Sequence, residues 1–145
     1  MSNPLPPIAT VAMRLLLDIE RAVRGFSRYD KSTLGVDLRK QAMTVVRVCH
    51  RAWRDRASQA YWIEQLVWEI DEVKLSLQLG SQLRAFASFR QFEALIRVAE
   101  ELGRQAGGWK RKQVPQGQNP ALDAAPERAQ ILSTRDASAC VGAKS

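Results

Sequence analysis

Apolar residues recur with a helical period in four separate stretches of this chain, and this pattern constrains its fold more than any other feature. The stretches cover about 8–24, 32–56, 58–84 and 88–111. Residues three and four apart lie on one side of a helix, so each stretch would carry one apolar face. No stretch alternates between apolar and polar residues for long enough to compete as a β-strand. The pattern predicts an all-α protein.

The connections between these stretches are short, which favours packing of consecutive helices as antiparallel neighbours. A chain of 145 residues supports one modest core. At 1.5 Å per residue, each helix would be roughly 25–40 Å long. We therefore predict an up-down-up-down antiparallel four-helix bundle, which forms a single domain over residues 1–112.

Proline, glycine and serine residues mark the ends of the predicted helices. Pro7 suits the first turn of the first helix, where a missing N–H group costs nothing, and Gly25 follows the end of that helix. Gly80 is open to two interpretations, a helix end or an interior position, and the apolar period that continues beyond it favours the second. Ser88 followed by Gln91 has the spacing of a capping box at the start of the fourth helix.

Residues 113–145 differ in character from the rest of the chain. They combine proline and glycine with alanine, glutamine and serine. They show no apolar period that would bury one face of a helix. We predict that this segment is a flexible, disordered C-terminal tail.

The overall charge favours an anionic partner. The chain has a formal net charge of +7 and a pI of about 10.0, although a merely soluble basic protein is equally compatible with these values. No apolar run reaches the ~18 residues that a membrane span needs, and the N-terminus does not have the pattern of a secretory signal. Two cysteines, Cys49 and Cys140, make no disulfide framework. We expect a cytoplasmic protein that does not enter a membrane.

Residues that would carry catalysis are scarce. A di-iron bundle needs paired Glu-x-x-His motifs, whereas this chain has a single histidine, His50, with no glutamate three residues before it. Cys49 and His50 would form a nucleophile pair only if their side chains converged, and adjacent helical residues point about 100° apart. Cys49 also belongs to the apolar face of its helix, which favours the role of a small buried hydrophobic residue.

Two further patterns have structural interpretations that we favour over ligand binding. The acidic residues within 69–72 have no further metal ligands near them, so a solvated helix face or an intersubunit ion pair explains them better. Gly107 and Gly108 are not preceded by a strand or followed by Lys-Ser/Thr, as a phosphate-binding loop would be. They would end the fourth helix or let Trp109 pack closely against a neighbour. We predict no enzyme activity and no cofactor.

Lysine and arginine residues form two stripes on the predicted helices. From Arg21 to Ala57 there are ten Lys and Arg against three Asp and Glu, whereas Ser58 to Arg84 has two against four. The basic residues of the second helix lie within roughly 60° of one another, opposite its apolar face. Such stripes can neutralise phosphates without contacting base edges. A single stripe is equally compatible with a helix face that is merely solvated. The predicted nucleic-acid-binding residues are Lys40, Arg47, Arg51, Arg54, Arg90, Arg97, Arg104, Lys110, Arg111 and Lys112.

The four tryptophans bear on the oligomeric state. Trp53, Trp62 and Trp109 have the usual interpretation, which is packing into the core. Trp68 lies away from the apolar centre of the third helix, so we interpret it as a side chain at a contact between subunits. A small bundle exposes such a residue when a partner covers it, which favours a homo-oligomer.

Four phrases of the sequence resemble those of a known protein family. The phrase at 26–42 joins the first two helices, the phrases at 79–80 and 87–95 form the junction of the third and fourth helices, and 103–112 closes the fourth. Together they make the chain similar to the four-helix-bundle family that includes the accessory variability determinant (Avd) proteins of diversity-generating retroelements. The likeness covers roughly residues 8–112.

Within this family, the chain is more similar to the Avd branch. That branch ends its last helix with Gly-Arg, followed by Gly-Gly-Trp and basic residues, as residues 103–112 do. A sister branch, encoded in intervening sequences of bacterial ribosomal RNA genes, typically has Asn-Ile-Ala-Glu-Gly in its second helix. This chain has Val-Cys-His-Arg-Ala there, at 48–52. A protein of the sister branch, with a structural or general interaction role, is the alternative.

The resemblance implies a ring-like homopentamer of four-helix bundles with a basic surface. It also implies association with the reverse transcriptase of the retroelement and with its template RNA or cDNA. In that system a template repeat is copied with errors at adenines and returned to a target gene, a process called mutagenic retrohoming. The family motif contains no catalytic group and therefore implies no active site. The tail at 113–145 departs from the compact family pattern and has no implied role.

Overall fold

A computed structural model describes residues 6–113 of the chain, and all regular elements within this range are helical. The helices are α1 (Pro7–Arg24), α2 (Arg28–Ser32), α3 (Leu34–Arg54), α4 (Gln59–Gln82) and α5 (Phe89–Gln113). A single 3-10 turn, Arg56–Ser58, immediately precedes α4. The predicted all-α fold is confirmed. Except for Gln113, which belongs to α5, the predicted tail lies outside the described residues.

The four long helices pack around one core. α1 contacts α3 and α5, and α4 contacts the same two helices, so α3 and α5 lie diagonally across the bundle. Glu20 near the end of α1 pairs with Arg39 near the start of α3, with 2.6 Å between Oε2 and Nε. Gly80 near the end of α4 faces Leu34 at the start of α3. These contacts join the end of one helix to the start of another, as antiparallel neighbours require.

The predicted apolar faces form the core. Leu34, Leu38 and Cys49 are buried along α3 as predicted, while Trp53 at the end of the same face is only half-buried. Burial of a Leu, Ile or Val side chain contributes about 1.5–3 kcal/mol. The largest fully buried side chains are Leu15, Ile19, Leu38, Val45, Cys49, Ile63, Leu66, Ile70, Val73, Leu77 and Leu102.

The short helix α2 was not predicted. The hydroxyl oxygen of Ser27 accepts a hydrogen bond from the N–H of Asp30 at 3.1 Å, which caps the first turn of α2. The backbone N–H of Thr33 donates to the carbonyl of Tyr29 and ends the turn. The predicted second helix at 32–56 therefore begins at Leu34 instead. It also ends earlier, because Asp55 leaves the helix and its carboxylate accepts a hydrogen bond from the N–H of Ser58 at 3.2 Å.

The junction of α4 and α5 follows the predicted capping pattern. The hydroxyl oxygen of Ser88 accepts from the N–H of Gln91 at 3.1 Å, and the side-chain oxygen of Gln91 accepts from the N–H of Ala87 at 2.9 Å. Gly80 lies inside α4, as the apolar period predicted, although α4 ends at Gln82 rather than near residue 84.

The predicted end of the last helix was too early. α5 continues through Gly107 and Gly108 and ends at Gln113, so the two glycines do not terminate it. A stretch of basic residues in its last turn favours continuation, since positive charge is stabilising at a helix C-terminus. Trp109 is half-buried and packs against the core. A Cβ atom at Gly107 or Gly108 would meet only the end of the Arg111 side chain, so no close approach of another helix requires these glycines.

Replacement of Gly80 by alanine is expected to destabilise the bundle, although alanine favours a helix over glycine by about 1 kcal/mol. A Cβ atom at this position would lie 2.7 Å from Cε2 of Phe86 and 3.0 Å from Cδ2 of Leu34. Overpacking of this kind costs about 1–3 kcal/mol, so the melting temperature should fall. Gly107→Ala is the matched control, because its Cβ would meet only the mobile end of Arg111 at 3.6 Å, and its melting temperature should rise. A Gly80→Ala protein as stable as the Gly107→Ala protein would contradict the close approach.

Candidate nucleic-acid interface

The positive charge of the chain lies on the outside of the helical bundle. Residues 6–113 contain 19 Lys and Arg against 12 Asp and Glu, which accounts for the whole net charge of +7. All ten predicted nucleic-acid-binding residues are exposed. The described part of the protein is therefore the part that would attract an anion.

The first predicted stripe lies on α3 and consists of Lys40, Arg47, Arg51 and Arg54, here called the α3 stripe. These side chains point away from the core, because their positions lie about 180° from Cys49 on the helix. Among residues 6–113, no carboxylate lies within 4.0 Å of a charged nitrogen of the α3 stripe. The described carboxylates therefore do not neutralise its charges.

The second predicted stripe, Arg90, Arg97, Arg104 and Arg111, follows the outward side of α5 and is here called the α5 stripe. Two of its arginines are paired within the helix. Arg97 contacts Glu93 at 3.3 Å, and Arg104 contacts Glu101. Hydrogen bonds from Gln105 and Arg104 hold the pKa of Glu101 below its ordinary value, so this carboxylate stays charged and offsets Arg104. The α5 stripe thus offers less free positive charge than the α3 stripe.

The two stripes do not form one surface. Since α3 and α5 are diagonal partners and both stripes face outward, the stripes lie on opposite sides of the bundle. Arg90, in the first turn of α5, is also at the opposite end of that helix from Arg111. One extended nucleic-acid strand would have to pass around an end of the bundle to contact both stripes.

Although the stripes face opposite sides, their C-terminal residues lie at the same end of the bundle. α3 and α5 are parallel to each other, because both run antiparallel to α4, and their C-termini lie at the same end. Exposed basic residues cluster in these last turns, where the helix dipole also favours positive charge. We call this region the basic end and define it by Arg51, Arg54, Arg56, Lys110, Arg111 and Lys112.

Two arginines of the basic end lie over tryptophan rings. The guanidinium carbon of Arg51 is 5.0 Å from the ring centre of Trp62, and that of Arg56 is 5.3 Å from the ring centre of Trp53. The indole N–H of Trp62 donates to the Asp55 carboxylate at 3.2 Å, which fixes the ring under Arg51. A stacked guanidinium keeps its N–H donors directed outward, where a phosphate can accept from them.

Sequence reasoning missed Arg56 and both arginine–tryptophan contacts. Arg51 and Trp62 belong to different helices, so their contact depends on how α3 and α4 pack. Trp53 and Arg56 are three residues apart in the sequence, which is the spacing of neighbours on a helix. The contact of Arg56 with Trp53 could therefore have been predicted from this spacing, although α3 ends between the two residues, at Arg54.

Cys49 and the possible metal ligands do not form a second site among the described residues. Cys49 is fully buried, and burial raises the pKa of its thiol to about 11, so it is not a ready nucleophile. Cys140 lies outside the described residues. Residues 6–113 contain no group of three His, Cys, Asp or Glu side chains placed to hold a metal ion. Within the same range, no helix has the length and apolar character needed to cross a membrane.

Comparisons with known proteins give no further assignment. No protein-family model, no curated protein and no solved structure matches this chain.

The buried Cys49 thiol generates a prediction about alkaline stability. Its ordinary pKa is 9.0 and its pKa in the folded protein is about 11, so between these values the unfolded chain loses a proton that the folded chain retains. The stabilising contribution is complete below pH 9.0 and is lost as the pH rises towards 11, at up to about 1.4 kcal/mol per pH unit.

Urea unfolding of the wild type and of Cys49→Ala across this pH range tests the prediction. The alanine variant should be less stable at neutral pH because it leaves a cavity, and the difference should shrink as the pH rises. Other titrating groups are common to both proteins and cancel in the comparison. A difference in unfolding free energy that stays constant above pH 9.0 would show that the thiol does not titrate in this way.

Proposed function

We propose that this protein is an accessory nucleic-acid-binding protein of a diversity-generating retroelement. In this role it associates in the cytoplasm with the reverse transcriptase and with the template RNA or cDNA, and supports mutagenic retrohoming without catalysing a reaction. The four family-like phrases support the biological system, and the helical bundle is the fold that the resemblance implies.

The observation that carries the binding proposal is the charge arrangement of α3. Lys40, Arg47, Arg51 and Arg54 occupy one exposed side of this helix, and no carboxylate of the described residues pairs with them. The stripe then leads into the basic end. Successive phosphates of a nucleic-acid strand provide the repeated negative charge that fits such a row.

Binding at these residues would depend little on base sequence. Lysine and arginine on a convex helix surface contact phosphates, which carry no sequence information, whereas specificity requires contacts to base edges. Counterions are released as phosphates are neutralised, so affinity should fall with salt at a slope of about −0.7 to −0.9 per phosphate. An accessory protein that contacts a whole template repeat meets many different base sequences, so binding that depends little on sequence suits this role.

Charge reversal of the α3 stripe tests the proposal. The triple change Arg47→Glu, Arg51→Glu and Arg54→Glu should lower affinity for unrelated RNA and DNA sequences by at least about tenfold at low salt. The salt slope should become shallower by about 2–3, and discrimination among sequences should change little. Fluorescence anisotropy over a range of salt concentrations measures both quantities, and circular dichroism checks that helicity is retained.

A matched control carries the same change of net charge elsewhere. Arg14, Arg21 and Arg24 are exposed on α1 and lie outside the predicted site, so their replacement by glutamate should reduce affinity much less. Equal losses in the two triple variants would mean that only net charge matters. A protein that keeps its affinity after reversal of the α3 stripe would show that this stripe is only a solvated face.

We also propose that the protein is a homo-oligomer, with a pentamer as the form that the family resemblance implies. Support comes from α4, which carries apolar side chains on the side opposite the core as well as in it. Trp68, Leu75 and Leu79 lie on this outward side and are 44%, 62% and 50% exposed. A helix with apolar side chains on two opposite sides is usually covered on both of them.

Charge also favours a second copy as the cover for this α4 outward face. Residues 64–72 of α4 are acidic, whereas the outward sides of α3 and α5 are basic. A head-to-tail contact between copies would bring the acidic α4 of one subunit near a basic helix of the next. Such heterologous contacts form a ring when the rotation between copies closes. Like charges would meet if two α4 helices faced each other.

Polar substitution on the α4 outward face should dissociate the oligomer. In the triple variant Trp68→Gln, Leu75→Gln and Leu79→Gln, light scattering at several concentrations should move towards the 16.3 kDa of one chain. The control is Met13→Gln with Leu17→Gln, which removes exposed apolar side chains from α1 and should leave the mass unchanged. A wild-type protein that has the mass of one chain at all concentrations would remove the oligomer proposal.

The alternative function is that of the ribosomal RNA intervening-sequence branch, which the resemblance relates to the same fold. Gene context separates the two possibilities. A retroelement accessory protein should be encoded beside a reverse transcriptase and a pair of imperfect repeats, whereas the alternative should be encoded within a ribosomal RNA gene or alone.

A further inference from the structure

Arg84, just after the end of α4, has a left-handed backbone conformation that arginine does not favour. The N–H of Ala85 donates to the carbonyl of Gly80 at 2.9 Å, and the N–H of Arg84 donates to the carbonyl of Ser81 at 3.1 Å. These two bonds define a Schellman motif, in which the residue after the helix is left-handed and is usually glycine. Here that residue is Arg84, with φ of 59°, the one non-glycine residue of positive φ among residues 6–113.

An arginine in this position is costly for the fold. A left-handed conformation brings the Cβ atom of an ordinary residue close to the backbone, and it costs roughly 1 kcal/mol or more. Glycine would satisfy the same hydrogen bonds without that cost. The Arg84 side chain makes no ion pair among the described residues. Arg84 thus places an exposed, unpaired positive charge where glycine would give the more stable backbone.

Arg84 lines a cavity of about 320 Å³ at the junction of α4 and α5. The other walls are Ser81, Phe86, Ala87, Ser88, Phe89 and Phe92. The size is that of a small ligand site, of about 300 Å³ or more, and the lining joins aromatic rings to one cation. No acidic residue is among the lining residues, so an anionic group meets no repulsion there.

An exposed phenylalanine stands at the rim of this cavity. The Phe89 side chain is 68% exposed, yet its ring contacts that of Phe92, with 5.7 Å between ring centres. Phe92 contacts Phe86 at 6.0 Å, and Phe86 contacts the buried Phe26 at 5.3 Å. The ring of Phe89 is thus supported on one side by a chain of packed aromatic rings that reaches the core. Its remaining surface is open to a planar ligand at little further entropic cost.

We infer that this cavity binds an unpaired nucleotide of a nucleic-acid strand, whose base stacks on Phe89 while Arg84 contacts its phosphate. The inference rests on the proposed nucleic-acid function and adds to it a preference for single strands. Bases within a duplex are stacked on one another and cannot reach an aromatic side chain, whereas bases of a single strand can. The phosphate contacts of the α3 stripe, by contrast, make no such distinction.

The test compares a short poly(U) RNA with an RNA duplex of the same length, both titrated by fluorescence anisotropy against the full chain. The wild type should prefer the single strand. Phe89→Leu keeps an apolar side chain but removes the aromatic face, and should weaken single-strand binding by about fivefold or more, since base stacking on an aromatic contributes roughly 1–3 kcal/mol. Its affinity for the duplex should stay close to that of the wild type, and Phe89→Trp should retain the preference.

Substitution of Arg84 gives a second, independent measurement. Arg84→Gly should raise the melting temperature, because the left-handed strain is relieved, and should weaken single-strand binding at the same time. Arg84→Lys keeps the charge and should retain most of the affinity without the gain in stability. Arg14→Ala removes one charge from α1 and should alter neither the melting temperature nor the preference appreciably. A residue with a purely structural role would not couple greater stability with weaker binding.

The possible failures can be told apart. A wild type that binds neither RNA overturns both the inference and the proposed function. Binding that shows no single-strand preference, or a preference that survives Phe89→Leu and Arg84→Gly, overturns the inference alone. A change of mass by light scattering in Phe89→Leu, with the single-strand preference intact, would instead identify Phe89 as a contact between protein subunits and would also overturn the inference.

Discussion

The burial of four apolar faces in one shared core is the constraint on which the rest of this protein depends. Each long helix covers its apolar face by packing against two neighbours, which leaves α3 and α5 diagonal to each other. Side chains opposite those faces must then point outward in different directions. Basic residues along the sides of α3 and α5 separate for this reason, while those at their C-termini converge. Apolar packing thus determines where a ligand meets the most positive charge.

Periodicity was sufficient to predict the four long helices because their apolar faces are continuous over many turns. Leu38 and Cys49 are eleven residues apart, close to three helical turns, and both are fully buried. Helix α2 has only five residues and buries none of them, so it leaves no apolar period. Its formation depends on local hydrogen bonds, one accepted by the Ser27 hydroxyl and one donated by the Thr33 N–H, and these leave no trace in an apolar period.

The candidate site was predictable only in part. The exposure of Lys40, Arg47 and Arg54 follows from their angular position on one helix, which the sequence contains. The contact of Arg51 with Trp62 depends on how α3 packs against α4, which the sequence pattern does not specify. The left-handed backbone conformation of Arg84 is harder still to predict from the sequence, because the residue at this position of a Schellman motif is normally glycine.

The basic residues of α3 and α5 differ in how their charges are offset within the described residues. On α3, Arg47 and Arg51 are four residues apart and Arg54 follows three later, spacings at which like charges destabilise a helix by about 0.2–0.5 kcal/mol per pair. On α5 the arginines are seven residues apart, and glutamates between them form surface ion pairs worth about 0–1 kcal/mol each.

The α5 arginines are thus partly offset by glutamates of their own helix, whereas on α3 the helix dipole and the Trp62 ring, rather than carboxylates, offset the repulsion. An anionic partner would convert the repulsion along α3 into attraction, and the same reasoning applies to Arg84, whose backbone conformation is unfavourable in the free protein. The α3 stripe and Arg84 both present arginine side chains that are exposed and without a carboxylate partner among residues 6–113. The proposed phosphate-bearing ligand would meet unpaired arginines at both places.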